Sequence, residues 1–214
     1  MTRASGAYIP ALGSRALTPF YDLFQRWIVG DDRYRRPLIT QADIRADQKV
    51  LDLGCGTGTV VIMVKQAQPG ADVHGLDADP EILAIAARKA SQRAVSVTFQ
   101  QGMAFALPYP DQSMDRVLSS LMIHHLKTTD KYRMAAEVFR ILKPDGELHV
   151  VDFGKPIDAY SRMLGYLLHR FEEAADNLAG RLPEIFGGTG LAVTETRNLR
   201  TFFGSLTLLR GIKR

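Results

Sequence analysis

Lys49-Val-Leu-Asp-Leu-Gly-Cys-Gly-Thr-Gly58 runs from a short apolar stretch into three glycines spaced two apart. Lys49 to Leu53 has the length and apolar content of a buried strand, and Thr59 to Ala67 reads as a helix. Glycines at such a turn let the backbone bend sharply and approach a ligand, and the helix behind them offers free N–H groups to an anion. Asp72 to Asp77 reads as the next strand. A helix from Pro80 to about Ser91 follows, with Asp79 as N-cap, Pro80 at its first position and Glu81 in its first turn. Asp77 thus ends a strand 23 residues beyond Gly54, where a carboxylate can accept both hydroxyls of a ribose. Strand, glycine loop, helix, strand and acid in this order imply a ligand that carries adenosine.

Further along, Val95 to Gln100 and Asp115 to Ser120 read as strands. Thr129 to Leu142 reads as a helix closed by Lys143-Pro-Asp-Gly146, and Glu147 to Asp152 as a fifth strand. Strands alternating with helices predict right-handed βαβ units and a parallel sheet. Ile157 to Leu178 reads as one long helix, with Tyr160, Met163, Leu164, Leu167, Leu168 and Phe171 at helical spacing. Ala192 to Leu199 and Thr201 to Arg210 are too close for a crossover, so they form an antiparallel pair at one sheet edge. The expected fold is α/β: a Rossmann-like three-layer sandwich with a mostly parallel seven-stranded sheet and an antiparallel C-terminal edge pair. It occupies a single domain over residues 1–214. Residues 1–46 would be a helical cover, 47–153 the ligand-binding core, and 154–214 a lid helix with the strand pair. Within the cover, Phe20 to Val29 and Arg36 to Ile44 are weakly helical, and residues 1–14 read as a loose arm.

The 214 residues are 46% apolar, a globular composition. Cys55 is the single cysteine, which excludes a disulfide within the chain and a multi-cysteine metal site and points to a reducing, cytoplasmic setting. Met1 to Pro10 shows no apolar segment of the secretory kind, and the run Val60 to Val64 is too short to span a bilayer. The net charge of +4 is dispersed, with Arg33, Arg35 and Arg36 beside Asp31 and Asp32, so no nucleic-acid partner is expected. Neither a bound metal nor an oligomeric state is indicated.

The loop reads G-x-G-x-G rather than the G-x-G-x-x-G of dinucleotide binders, and Asp52 precedes it. A pyrophosphate needs no carboxylate beside it, whereas a cationic amine does. The ligand is therefore read as S-adenosylmethionine rather than a nicotinamide dinucleotide. Here the sequence resembles a known family. Val50-Leu-Asp-Leu-Gly-Cys-Gly-Thr-Gly58, Leu107-Pro-Tyr-Pro-Asp-Gln-Ser-Met-Asp115 and Ile141-Leu-Lys-Pro-Asp-Gly-Glu-Leu148 resemble motifs of class I S-adenosylmethionine-dependent methyltransferases, most closely the ubiquinone/menaquinone-biosynthesis type and its small-molecule relatives. The resemblance covers roughly residues 48 to 153. It implies that Asp52, Gly54, Cys55, Gly56 and Gly58 hold the methionine end, that Asp77 binds the ribose and that Ala78 packs on the adenine. Gly102, Met103 and Ala104 would lie along the adenine edge, and Ser119 to Met122 beneath the methyl donor. One departure stands out: many relatives carry aspartate where Met103 stands, and a thioether is a poor acceptor for the adenine amino group.

Methyl transfer is an in-line displacement, so the protein must align a nucleophile, exclude water and take up a proton where the acceptor has one to lose. His124 and His125 follow the fourth strand and are the candidate bases; their other reading is structural. On an extended segment they would point to opposite sides, so that only one faces the acceptor. The lack of an Asn/Asp-Pro-Pro-Tyr segment disfavours DNA amino-methylation, and Cys55, inside the loop, is read as a small filler rather than a nucleophile. The N-terminal cover (Tyr8, Tyr21, Asp22, Trp27) and the 157–178 helix would enclose the acceptor, although both apolar stripes also fit ordinary core. A small-molecule acceptor of quinone-like, phenolic or lipid kind is the expected partner. A non-catalytic S-adenosylmethionine-binding module and a nucleotide-dependent dehydrogenase are the rival functions.

Overall fold

β1 (Lys49–Leu53) is buried on both faces, as a run of apolar residues with one aspartate must be at the centre of a sheet. The structure is a computed structural model in which residues 32–168, 173–202 and 204–214 are described. The candidate helix Phe20 to Val29 and the N-terminal residues proposed to cover the acceptor lie outside them. Residues 34–214 form one unit of the chain.

α1 (Asp32–Ala42) precedes β1, begins four residues earlier than expected and contains Pro37. α2 (Thr59–Ala67) follows the glycine loop and is rich in β-branched residues, so burial of Val60, Val61, Ile62 and Val64, rather than propensity, holds it. β2 (Asp72–Asp77) leads to α3 (Pro80–Gln92). The Asp79 carboxylate caps α3, accepting from the N–H groups of Glu81 at 2.8 Å and Ile82 at 3.4 Å. β3 (Thr98–Gln101) is shorter than expected, because Val95 still donates to the Ala90 carbonyl of the preceding helix. β4 (Met114–Ser120), α4 (Thr128–Ile141) and β5 (Leu142–Phe153) follow. β5 starts five residues before the expected strand, since Leu142 already pairs with Met114 across a bulge.

The seven strands are ordered β3-β2-β1-β4-β5-β7-β6. The first five run parallel; β7 (Gly204–Lys213) pairs antiparallel with both β5 and β6 (Leu191–Thr201), the expected edge pair. Strand order reverses between β1 and β4, which opens a crevice at their carbonyl ends. On one sheet face Leu51, Leu76, Val117 and Val150 pack with Met134, Val138 and Ile141 of α4. On the other, Val50, Val73 and Leu118 pack with Ala42 of α1, Val61 of α2 and Leu83 of α3.

The single helix expected over Ile157 to Leu178 is not formed. α5 (Ala159–Leu168) is separate from α6 (Ala175–Leu178), and a further helix, α7 (Leu182–Gly187), follows. Glu173 lies in a bend, and its carbonyl accepts from the buried Lys131 ammonium of α4 at 2.6 Å. Apolar spacing could not report this break, because a tertiary hydrogen bond makes it.

Candidate active site

The glycine loop is shaped by two constraints. Gly54 has φ +74°, and a Cβ there would stand 2.2 Å from Cγ of Met122, so the segment after β4 presses directly onto the loop. Gly56 also has a positive φ, +51°, but nothing lies within 4 Å of where its Cβ would be: its backbone faces open space. The N–H groups of Gly54 and Cys55 both donate to the Leu76 carbonyl, at 2.8 and 2.9 Å, which ties the loop to β2. Cys55 is buried, and burial, then the charges of Asp52 and Asp77, push its thiol well above the ordinary range. A thiol so placed is not a nucleophile.

Two carboxylates flank this cradle. Asp52 is 2% exposed and its Oδ1 has no hydrogen-bond partner. Burial, reinforced by the charge of Asp77 and eased by Arg35, pushes it up to about 7. Asp77 accepts from the Gly56 N–H at 2.9 Å and the Asp79 N–H at 3.0 Å, yet burial still raises its pKa. With two lone-pair positions engaged, its carboxylate keeps acceptor capacity. An orphaned buried carboxylate beside an open glycine backbone fits a ligand bearing an ammonium group.

The rest of the expected adenosine site divides. Ala78 is half-buried, its carbonyl taken by the Gln101 side chain at 3.1 Å. Gly102 donates to the Asp77 carbonyl at 3.0 Å, which holds the loop after β3 against the acid. Met103 is half-buried, whereas Ala104 belongs to the apolar core beside Leu76 and Leu107. Its side chain is therefore not on the crevice edge. Ser119 is likewise turned inward: buried, it donates to the Leu53 carbonyl at 3.2 Å and ties β4 to β1 behind the crevice.

His124 and His125 do not lie on an extended segment. Ile123–His125 is a 3₁₀ turn, and the two rings come within 4.0 Å at 43° rather than pointing apart. The turn is built by Asp152, which sequence reasoning placed on a strand and gave no role. Its buried carboxylate accepts from the N–H groups of Met122, Ile123 and Phe153 at 3.2, 2.8 and 2.7 Å, and lies 2.8 Å from Nδ1 of His124. Burial alone would raise this acid; the charge and hydrogen bond of His124 and the backbone donors reverse the sign and hold it below the carboxylate range. His124 is buried, with Phe153 edge-on at 4.7 Å, while His125 is exposed. The available signal for Asp152 was its position: like Asp77, it is an acid at the carbonyl end of an apolar strand. Leu121, with φ +52°, turns the chain from β4 toward this site, an uncommon conformation for a branched residue.

Residues 50–146 match a family model described as a methyltransferase domain. The chain is 38% identical over 142 residues to the demethylmenaquinone methyltransferase of Thermus thermophilus, covering 65% of this chain and 64% of that protein. It spans about six-tenths of the length of such curated relatives. Among solved structures, the YcgJ protein of Bacillus subtilis superimposes with a TM-score of 0.68 at 23% identity, covering 85% of this chain and 98% of that one. A Haemonchus contortus phosphoethanolamine N-methyltransferase, solved with S-adenosylhomocysteine, reaches a TM-score of 0.77 at 17% identity over 97% of this chain and 61% of its own. Over residues 50–146 the chain is therefore similar to the methyltransferase-domain class. Within that class its sequence is similar to the menaquinone- and ubiquinone-biosynthesis type.

Proposed function

We propose that this protein transfers a methyl group from S-adenosylmethionine to a small acceptor of quinone-like or phenolic kind. The orphaned, buried Oδ1 of Asp52 beside the open backbone of Gly56 carries this reading, because it suits an ammonium donor, which a dinucleotide lacks. When bound, the cofactor supplies an electrophilic methyl group on sulfur. Asp52 receives its ammonium, Asp77 its ribose hydroxyls, and Met122 packs over Gly54 at its methionine end. Gly102 and Met103 border its adenine.

His124 acts as the base. Asp152 holds Nδ1, which fixes the tautomer and leaves Nε2 to take a phenolic or enolic proton. Asp152 acts through His124 and is a positioning residue. The similarity to demethylmenaquinone methyltransferases supports a hydroquinone acceptor, whose electron-rich ring carbon loses a proton as it gains the methyl group.

The test is turnover of a short-chain demethylmenaquinol, read as methylated product and released S-adenosylhomocysteine. His124→Gln should lower turnover by about 10²–10⁴-fold and remove the low-pH limb of the pH profile, where a protonated base is inactive, with cofactor affinity kept. Asp152→Asn should shift that limb, and His125→Gln should leave it in place. Wild-type turnover and pH profile in His124→Gln would remove the base from this site.

A further inference from the structure

Among the described residues, four large apolar side chains are exposed, and three of them gather at one end of the sheet: Phe202 (84% exposed), Met163 (57%) and Ile157 (49%). They belong to one structure. Phe202 forms the turn between β6 and β7, and its carbonyl accepts from the Tyr160 hydroxyl of α5 at 2.6 Å. Met163 follows Tyr160 by three residues on the same helix, so the two share a face. The Ile157 N–H donates to Ser205 Oγ at the start of β7, at 3.2 Å. β7 is antiparallel to β5, with Leu206 opposite Phe153, so this turn lies at the carbonyl end of the parallel strands. That is the end at which Phe153 meets His124.

The charges around these side chains are cationic. Residues 155–163 and 200–202 carry Lys155, Arg162 and Arg200 against one carboxylate, Asp158, which Arg200 pairs at 3.0 Å. Lys155 and Arg162 are exposed. A protruding turn with a bare phenylalanine, flanked by basic side chains with apolar stems, matches the headgroup region of an anionic bilayer better than a flat protein face.

We propose that the rim formed by Ile157, Met163 and Phe202 docks on the surface of an anionic lipid bilayer, holding the mouth of the crevice against the membrane from which an apolar acceptor is drawn. This rests on the acceptor reading above only for its purpose; the docking is measured without any acceptor. The full chain is sedimented with vesicles of phosphatidylcholine and phosphatidylglycerol in equal parts, and with phosphatidylcholine alone. The wild-type protein should pellet with the mixed vesicles, less so at high salt, and stay largely free of the neutral ones. The triple variant Ile157→Ser, Met163→Ser, Phe202→Ser should bind at least about tenfold more weakly, with melting temperature and S-adenosylmethionine affinity unchanged. Equal pelleting of the triple variant, or a wild-type protein that stays in solution, would overturn the proposal. So would a wild-type dimer that the triple variant turns into a monomer without any lipid binding by either, since the rim would then be a contact between copies. Loss of cofactor affinity in wild-type protein that still pellets would count against the methyltransferase reading and leave the docking in place.

Discussion

In the proposed site Asp52 would link cofactor binding to pH. Its ordinary value of 3.8 rises to about 7 in the fold, so the folded protein holds a proton that the unfolded chain has shed. The cofactor-free protein should therefore lose stability as pH rises from about 4 to about 7. An arriving ammonium favours the carboxylate, so binding should tighten over the same range and release a proton. Calorimetry in buffers of different ionisation enthalpy reads that proton directly; Asp52→Asn should abolish it, and a pH-independent affinity in wild type would contradict it. Met103 gives a second prediction. It is half-buried and outside the core, so aspartate there meets water and should leave the melting temperature nearly unchanged. If Met103 borders the adenine amino group, Met103→Asp should tighten cofactor binding by about 0.5–1.5 kcal/mol, one hydrogen bond. A melting temperature that falls without any gain in affinity would place Met103 away from the ligand. The placement of Asp52, Gly56 and Asp77 about the loop was legible in the sequence, since loop, acid and strand end are fixed by spacing, and Asp77 does accept from the Gly56 N–H. The side chains of Ser119 and Ala104 turn into the core, which spacing does not report.

At the scale of elements, β5 carries more than a strand pattern. Glu147 accepts from Arg210 at 2.7 Å through both oxygens, with Arg116 3.8 Å away. His149, fully buried on the same face, sits 3.1 Å from it but off the line of a hydrogen bond, while its Nδ1 meets the Gln41 amide at 3.2 Å. Burial raises Glu147 in isolation, yet His149 and the two arginines win and hold it far below the carboxylate range. Burial, outweighing Glu147, lowers His149. Both shifts have the same consequence: the stability they confer is complete above the unfolded values and is lost as pH falls, first through histidine near 6.5 and then through glutamate near 4. Glu147→Gln should cost about 1–3 kcal/mol at neutral pH, discounted for the partly exposed Arg210, and the gap in melting temperature should close in acid. A constant gap down to pH 3 would remove the charge from the explanation. This network, the break at Glu173 and the 3₁₀ turn at His124 were not legible for one reason. Each is made by a side chain distant in sequence: Arg210, Lys131 and Asp152. The parallel core was legible because its local preferences and its packing agree.

At the scale of the whole molecule, the reversal of strand order between β1 and β4 places the glycine loop, Asp77 and the Asp152-held His124 around one crevice. The same carbonyl end carries the exposed apolar turn of β6 and β7. Among the described residues no helix is long and apolar enough to cross a membrane. The sheet thus brings the buried Asp52 carboxylate, the His124–Asp152 pair and an apolar rim to its carbonyl end. The most direct measurement is isothermal titration of the purified full chain with S-adenosylmethionine, S-adenosylhomocysteine and NAD, alongside the Asp77→Ala variant. Both adenosyl ligands should bind one to a chain and NAD should give no heat, with Asp77→Ala weaker by about 1.5–3 kcal/mol, the loss expected for hydrogen bonds to a charged group. Tight binding of NAD with silence from both adenosyl ligands, or an Asp77→Ala variant that binds them as wild type does, would contradict the site built on Asp52, Gly56 and Asp77.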